Sequence, residues 1–482
     1  MANRATSARV DRSEAVHHLV GELGDWSAGS GPLFRLLARS VAAGIERGAV
    51  APGTRLPAER ALAAALSVSR GTAVAAYEEL VADGLVERLH GSGTFVIGAG
   101  SLGLPAGREG SALVARLVDR SAGPTEVVDL SISVLRESAD LPSVGVTTSD
   151  LAAVQPDTGY SPWGLPDLRA SLAELVTGWG LPSTAEQIVV TTGAQQALSA
   201  AIACWVRPGD TVLVEDPTYP GAVSALGAAG ASVVGLPMDH RGVDVDALED
   251  ALARERPAMA YLQPTLHSPT GVVLPAARRQ RIATLVTAAR VPLVEDHALA
   301  GLRWVRTPPP IAAHAPDAPI AVLGSLSKRF WGGLRVGFVR APEPVALRMA
   351  RVKATQDLGS SAISQVLAQR LLTHADSRSF LDARNHELRR RYDHLARLLR
   401  RHLPDWTWHE PEGGLSIWVR LPRPIAEPYA QAALRAGVAV ATAESLSPTG
   451  SDQHHIRLSF SPPKEELTQG VHRLATAWAA FA

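Results

Sequence analysis

The chain has 482 residues, which at about 150 residues per domain implies two to four domains and excludes a small stapled scaffold. With 46% hydrophobic and 20% charged residues there is apolar material for several cores, and global disorder is excluded. Lys plus Arg is 47 and Asp plus Glu is 47, a formal net charge of zero, so any contact with nucleic acid has to come from a local surface. Lys328, Lys353 and Lys464 are the only lysines among those basic residues, and a lysine kept in such a background is a candidate amine. The lone Cys204 excludes an intramolecular disulfide framework and a multi-cysteine metal site, and reads as a small buried hydrophobe. No window offers the roughly 18 uninterrupted apolar residues of a membrane span, and the first residues lack the apolar core of a secretory signal, so the expected location is the cytoplasm.

Residues 1–30 read as an N-terminal arm. After Pro32, Leu33, Leu36, Leu37, Val41 and Ile45 recur at three- and four-residue steps, the stripe of an amphipathic helix, which Gly48, Pro52 and Gly53 end. A second short helix runs from Pro57 through Leu62 and Leu66. Ser69 can cap a third, placing Arg70, Gly71 and Thr72 in its first turn, where a recognition helix meets base edges and phosphates. Beyond Gly84, residues 85–89 and 94–97 read as two strands joined at His90-Gly91-Ser92-Gly93. This is a helix-turn-helix followed by a β-wing.

Three blocks in order, Gly53-Thr54-Arg55-Leu56-Pro57-Ala58-Glu59-Arg60, Val68-Ser69-Arg70-Gly71-Thr72 and Gly91-Ser92-Gly93-Thr94-Phe95-Val96, closely resemble the winged helix-turn-helix of GntR-type transcription factors. The resemblance implies that Arg60, Ser69, Arg70 and Thr72 face DNA from the helices, with Arg55 near phosphate and Gly91 and Gly93 in the wing. A guanidinium can read guanine bidentately, whereas a phosphate contact positions the protein. Charge alone does not point to DNA, because residues 31–98 hold seven Arg against six Asp or Glu.

Residues 99–125 concentrate Gly and Pro and read as a linker. From about residue 126 short apolar runs alternate with helix-length segments, the pattern of an α/β fold. The runs at 188–190, 212–214, 259–262, 292–294 and 321–323 are the expected strands. Ligands of such folds collect at the strands' carboxyl ends, and the residues there are suggestive. They are Thr192-Gly193-Ala194-Gln195, Asp216-Pro217-Thr218-Tyr219, Glu295-Asp296, and Ser325-Leu326-Ser327-Lys328 followed by Arg335.

An amine, a carboxylate, hydroxyls with a cation, and an aromatic surface are what pyridoxal phosphate requires of a protein. With Gly159-Tyr160, Gly164-Leu165 and Pro269-Thr270-Gly271, these motifs make the region from about residue 126 to 482 resemble fold type I aminotransferases. The resemblance implies that Lys328 forms the internal aldimine and Asp296 pairs with the ring nitrogen. It implies further that Tyr219 stacks on the ring and that Gly193, Ala194, Gln195, Ser325, Ser327 and Arg335 cradle the phosphate. The small subdomain is expected from about residue 350. Near the end, His455-Ile456-Arg457-Leu458-Ser459-Phe460 alternates as a strand, and Arg457 resembles the receptor for an amino-acid carboxylate. The family's tyrosine after Asp296 is missing at Ala298, and residues 263–268 lack its asparagine, with His267 and His297 as candidate substitutes. These departures imply weak turnover.

Together the two modules resemble the MocR subfamily of GntR-type regulators. The resemblance implies a homodimeric, pyridoxal-phosphate-binding regulator that binds operator DNA and senses the cofactor or an amino compound. The rival expectation is an aminotransferase with an appended DNA-binding domain. No metal site and no membrane contact are expected.

Overall fold

Helices α1 (Leu33–Glu46), α2 (Glu59–Ala65) and α3 (Arg70–Ala82) and strands β1 (Val86–Leu89) and β2 (Gly93–Val96) make the first unit. They belong to a computed structural model that describes residues 16, 19–27, 30–46, 49–50, 54–89, 93–96, 127–135, 141–154, 158–450 and 452–481. Gly91 and the expected linker, 99–125, lie outside the described residues. Helix α3 begins where the sequence places it, because the Ser69 hydroxyl accepts the Thr72 backbone N–H at 3.0 Å and satisfies a donor that has no partner within the helix. Leu37, Val41, Leu62, Leu66 and Tyr77 are buried between the helices, each worth about 1.5–3 kcal/mol of apolar transfer. The Tyr77 hydroxyl donates to the Pro57 carbonyl at 2.9 Å and so remains satisfied inside.

Two features of this unit go beyond the sequence reading. Arg55 makes an antiparallel β-bridge to Phe95 at the edge of the wing, through Leu56 N–H to Thr94 O at 2.8 Å and Val96 N–H to Thr54 O at 3.0 Å. Leu19, Val20, Leu23 and Trp26 also lie buried in the same core, so the segment before Pro32 packs with the helices.

The second unit is built on an eight-stranded sheet. Its strands are β4 (Ile188–Thr191), β5 (Thr211–Asp216), β6 (Ser232–Asp239), β7 (Gly242–Val243), β8 (Met259–Leu262), β9 (Leu293–Asp296), β10 (Ile320–Ser325) and β11 (Gly337–Arg340). They lie in the order β4-β11-β10-β9-β8-β5-β6-β7. Strands β5, β6, β8, β9 and β10 are parallel, and β11 runs antiparallel between β4 and β10. Alternate residues face two cores. Leu213 joins Leu168 and Ile282 on one side, whereas Val212 and Val214 join Leu198 and Met349 on the other. The central strands therefore read as unbroken apolar runs.

The flanking helices are α4 (Thr148–Val154), α5 (Pro166–Thr177), α6 (Ala194–Trp205), α7 (Pro220–Ala228), α8 (Val245–Glu255), α9 (Ala276–Ala289), α10 (Glu343–Asp357) and α11 (Ala362–Thr373). Met349 of α10 and Leu371 of α11 are buried in those two cores. The smaller unit, expected from about residue 350, accordingly opens with α12 (Ser377–His402).

That unit contains β12 (Thr407–Trp408), β13 (Ser416–Arg420), α13 (Ala426–Arg435), β14 (Val438–Ala439), β15 (Ala441–Thr442), β16 (His455–Ser459) and α14 (Lys464–Phe481). Its antiparallel sheet has the order β12-β13-β16-β15. Residues from far upstream complete it, since β3 (Val128–Asp129) pairs in parallel with β14.

The turn after β4 is held very close to β11: a Cβ on Gly337 would lie 2.5 Å from the Gly193 carbonyl carbon and 2.7 Å from its Cα. Backbone cannot yield as a side-chain tip can. Gly337→Ala is expected to lower stability by about 1–3 kcal/mol, read as a shifted urea midpoint at unchanged slope.

Candidate functional site

The carboxyl ends of β4, β5, β9 and β10 converge with β16 on one space. Gly193 caps α6 at φ 91°, a left-handed conformation that favours glycine. A Cβ there would sit 3.1 Å from the Arg335 guanidinium, which donates to Thr192 O at 2.8 Å. Ala194 and Gln195 follow in the first turn of α6, where backbone N–H groups point outward without helical partners. Helix termini of this kind favour anions.

Tyr219 precedes α7, and its ring lies over Gly221, where a Cβ would come within 2.5 Å of the phenol. Sequence reading passes over Gly221, although a small residue two positions after an expected stacking ring is a usable signal. The Tyr219 hydroxyl donates to Gln195 Oε1 at 3.2 Å, and Gln195 Nε2 donates to Gly221 O at 3.0 Å.

Asp296 ends β9 with its carboxylate buried. It accepts from the Tyr261 hydroxyl at 2.7 Å and from the Ala298 N–H at 2.7 Å. Burial pushes its carboxyl above the usual range, and those two donors oppose the rise. Tyr261 is a partner that the sequence marks only as a strand residue.

His297, a candidate substitute donor, points to the other side of the strand. It bonds Glu295 at 2.9 Å and stacks on Trp179. Strand alternation sends neighbours to opposite faces, which removes His297 from the space that holds Asp296. His267 is buried as well, with Nδ1 on the Thr270 hydroxyl at 2.9 Å.

Lys328 follows β10. Its Nζ donates to Ser133 O at 3.0 Å, and its pKa is brought down to about 8 by burial and by the positive charges of Arg457 and Arg335. Ser327 N–H donates to the Ser325 hydroxyl at 3.2 Å. Arg457 is buried on β16 and donates through Nη2 to Ser131 O. Burial lowers its pKa to about 10, while Asp129 and Tyr219 counter the fall. Among the described residues Ser327 Oγ, Ser133 Oγ and Arg457 Nε are buried without a partner. Buried polar atoms in native folds almost always have partners, so three orphans in one space fit a polar occupant with its own donors and acceptors.

On the first unit, Arg60, Ser69, Arg70 and Gly93 are exposed and Thr72 is half-buried. The Ser69 and Thr72 hydroxyls lie 2.9 Å apart, so both serve the start of α3 as well as its outer surface. Arg55 is exposed on the wing, where a Cβ on Gly93 would meet its Nε at 2.8 Å. Arg55 and Gly93 thus form one edge. No helix among the described residues is long and apolar enough to cross a membrane.

Both units have known relatives. The family described as bacterial regulatory proteins, gntR family, matches residues 36–96, and aminotransferase class I and II matches residues 125–474. The uncharacterized HTH-type transcriptional regulator YdfD of Bacillus subtilis is 27% identical over 92% of this chain and 95% of that protein. The HTH-type pyridoxine biosynthesis transcriptional regulator PdxR of Corynebacterium glutamicum is 31% identical over 75% and 76%. Among solved structures, LysN, the alpha-aminoadipate aminotransferase of Thermus thermophilus complexed with N-(5'-phosphopyridoxyl)-L-leucine, matches with a TM-score of 0.66. It is 28% identical, and the match covers 76% of this chain and 94% of that one.

Fold and site thus define a winged helix-turn-helix protein carrying a fold type I aminotransferase domain. The chain belongs to the MocR subfamily of GntR-type transcriptional regulators.

The depressed Lys328 pKa predicts a titration. Competitive acylation of this amine should show a midpoint near 8 rather than 10.5, and Arg457→Met should raise it by removing a positive neighbour. The unfolded chain binds more protons than the folded one between these two values, so Lys328 makes stability rise with pH across that window.

Proposed function

We propose that this chain is a cytoplasmic, dimeric transcriptional regulator that binds operator DNA through its winged helix-turn-helix and reads pyridoxal phosphate, or an amino compound joined to it, in the aminotransferase domain. The observation that carries the reading is the desolvated Lys328 amine after β10, facing the charges of Arg457 and Arg335 and next to the unpartnered Ser327 hydroxyl, with Asp296 ending the neighbouring strand β9, in the same chain as α3. Pyridoxal phosphate, when bound, supplies an aldehyde that condenses with amines and a ring that withdraws electrons.

Each residue then has a task. Lys328 holds a neutral amine ready near pH 8. Asp296, fixed by Tyr261 and Ala298, offers a carboxylate to a ring nitrogen, and that charge lowers its raised pKa. Tyr219 covers the ring. The first turn of α6 with Gly193, Ala194 and Gln195, together with Ser325, Ser327 and Arg335, holds the phosphate. Arg457 uses its free Nε to take an effector carboxylate, a pairing that guanidinium geometry suits.

On the DNA side, Arg70 reads a base, and Arg55, Arg60, Ser69, Thr72 and the wing glycines Gly91 and Gly93 position the backbone. Dimerisation is supported by Tyr160, Trp331, Leu358 and Ile363, large apolar side chains that are 68%, 47%, 50% and 52% exposed and that a second copy would cover. The match to YdfD spans both modules, which favours a regulator over an aminotransferase with an idle appendage.

A duplex selected from a random pool provides the test. Arg70→Ala is expected to weaken binding to it at fixed salt by about 1–3 kcal/mol, while a scrambled duplex loses far less. Equal losses on both duplexes would leave Arg70 a phosphate contact only. In the wild-type protein, pyridoxal phosphate should change the affinity for the selected duplex, and an unchanged affinity would contradict the sensing role.

A further inference from the structure

The winged unit rests on the small unit at one edge of α13. Arg435, the last residue of α13, donates through Nη1 to Leu66 O at 2.8 Å and through Nη2 to Ser67 O at 3.1 Å. These carbonyls end α2, where the helix dipole is negative and no intrahelical donor remains, so a cation is favoured there. The Ser67 hydroxyl returns a bond to Pro428 O at 2.9 Å, and the buried Trp26 Nε1 donates to Gln431 Oε1 at 3.1 Å. Ser67 itself has φ 50°, a left-handed conformation that is uncommon for a residue other than glycine. Burial lowers the Arg435 pKa, so the guanidinium is spent on this contact rather than on solvent. Ser67 lies within three residues of Arg70, and the clamped turn therefore sets the entry of the recognition helix.

The same end of α13 leads to the cofactor space. Gly437 and β14 follow it directly, and Val128 N–H donates to Gly437 O and Leu130 N–H to Ala439 O, both at 2.9 Å. Just beyond, Ser131 O and Ser133 O accept from Arg457 and Lys328. Condensation of the neutral Lys328 amine with an aldehyde forms C=N and releases water carrying both amine hydrogens, which ends the donation to Ser133 O. A carboxylate on Arg457 competes with Ser131 O in the same way.

From this juxtaposition we infer that the Pro428, Gln431 and Arg435 edge of α13 is the docking surface for the helix-turn-helix turn, and that residues 128–133 transmit occupancy of the Lys328 and Arg457 site to it. A ligand shifts such an equilibrium only by its difference in affinity for the two arrangements. Here the difference is the pair of carbonyl bonds it displaces. The inference rests on the pyridoxal phosphate reading of that site.

Hydrogen exchange of the full-length protein with and without saturating pyridoxal phosphate tests it. In the wild type, exchange should change in peptides covering both 128–133 and 59–69. In Arg435→Met, which keeps an apolar stem, 128–133 should still respond and cofactor affinity should stay within about twofold, since the Arg435 guanidinium bonds Leu66 and Ser67 and no residue of that site. The response at 59–69 should fall by roughly fivefold or more, the low end of ordinary coupling between sites. Trp26→Phe, which removes the bond to Gln431 and leaves a smaller ring in the core, should weaken the response in the same direction and serves if the arginine variant does not fold. An undiminished response at 59–69 in these variants overturns the inference while leaving the cofactor site intact. No response at 128–133 in the wild type overturns the cofactor reading and this inference with it.

Discussion

Two cations share one short stretch of backbone. Lys328 and Arg457 donate to the carbonyls of Ser133 and Ser131, and Arg457 is buried and Lys328 half-buried. Keeping an ammonium and a guanidinium close together in a poorly solvated space is costly. The cost appears as a lysine pKa brought down to about 8 and an arginine pKa brought down to about 10. The structure tolerates this because the eight-stranded sheet and the small sheet fix both side chains. The result is a lysine amine that loses its proton more readily than usual and a guanidinium with an unpartnered Nε, each donating to the same short segment.

Much of this is legible in the sequence. Ser69 before an apolar stripe announces α3, and five apolar runs mark β4, β5, β8, β9 and β10. Polar residues at their ends identify Asp296, Lys328 and the turn at Gly193. Strand β11 goes unread because four residues between glycines and a helix carry no periodicity of their own, and its antiparallel place between β4 and β10 is a long-range choice. The bridge from Arg55 to Phe95 escapes for a similar reason, since Pro57 and the glycine at 53 read as punctuation.

The least legible contacts are those made to backbone. Nothing about serine at 131 or 133 says that its carbonyl faces a cation, and nothing about Leu66 or Ser67 says that Arg435 will cap it. Carbonyls are present at every residue, so their use is decided by the fold alone. The same holds for His297, whose sequence position beside Asp296 suggests the cofactor space until strand alternation places it on Glu295 and Trp179. Tyr261 is the reverse case, an apolar-looking strand residue whose hydroxyl reaches Asp296.

The central claim is that Lys328 is the amine around which the second domain is organised. Its most direct test is an absorbance spectrum of the full-length protein with pyridoxal phosphate, followed by borohydride reduction and peptide mapping. The account predicts a new band at the visible edge of the spectrum and reductive trapping on Lys328, with Lys353 and Lys464 unlabelled. Absence of the band at saturating cofactor, or label on either of the other two lysines instead, would contradict it.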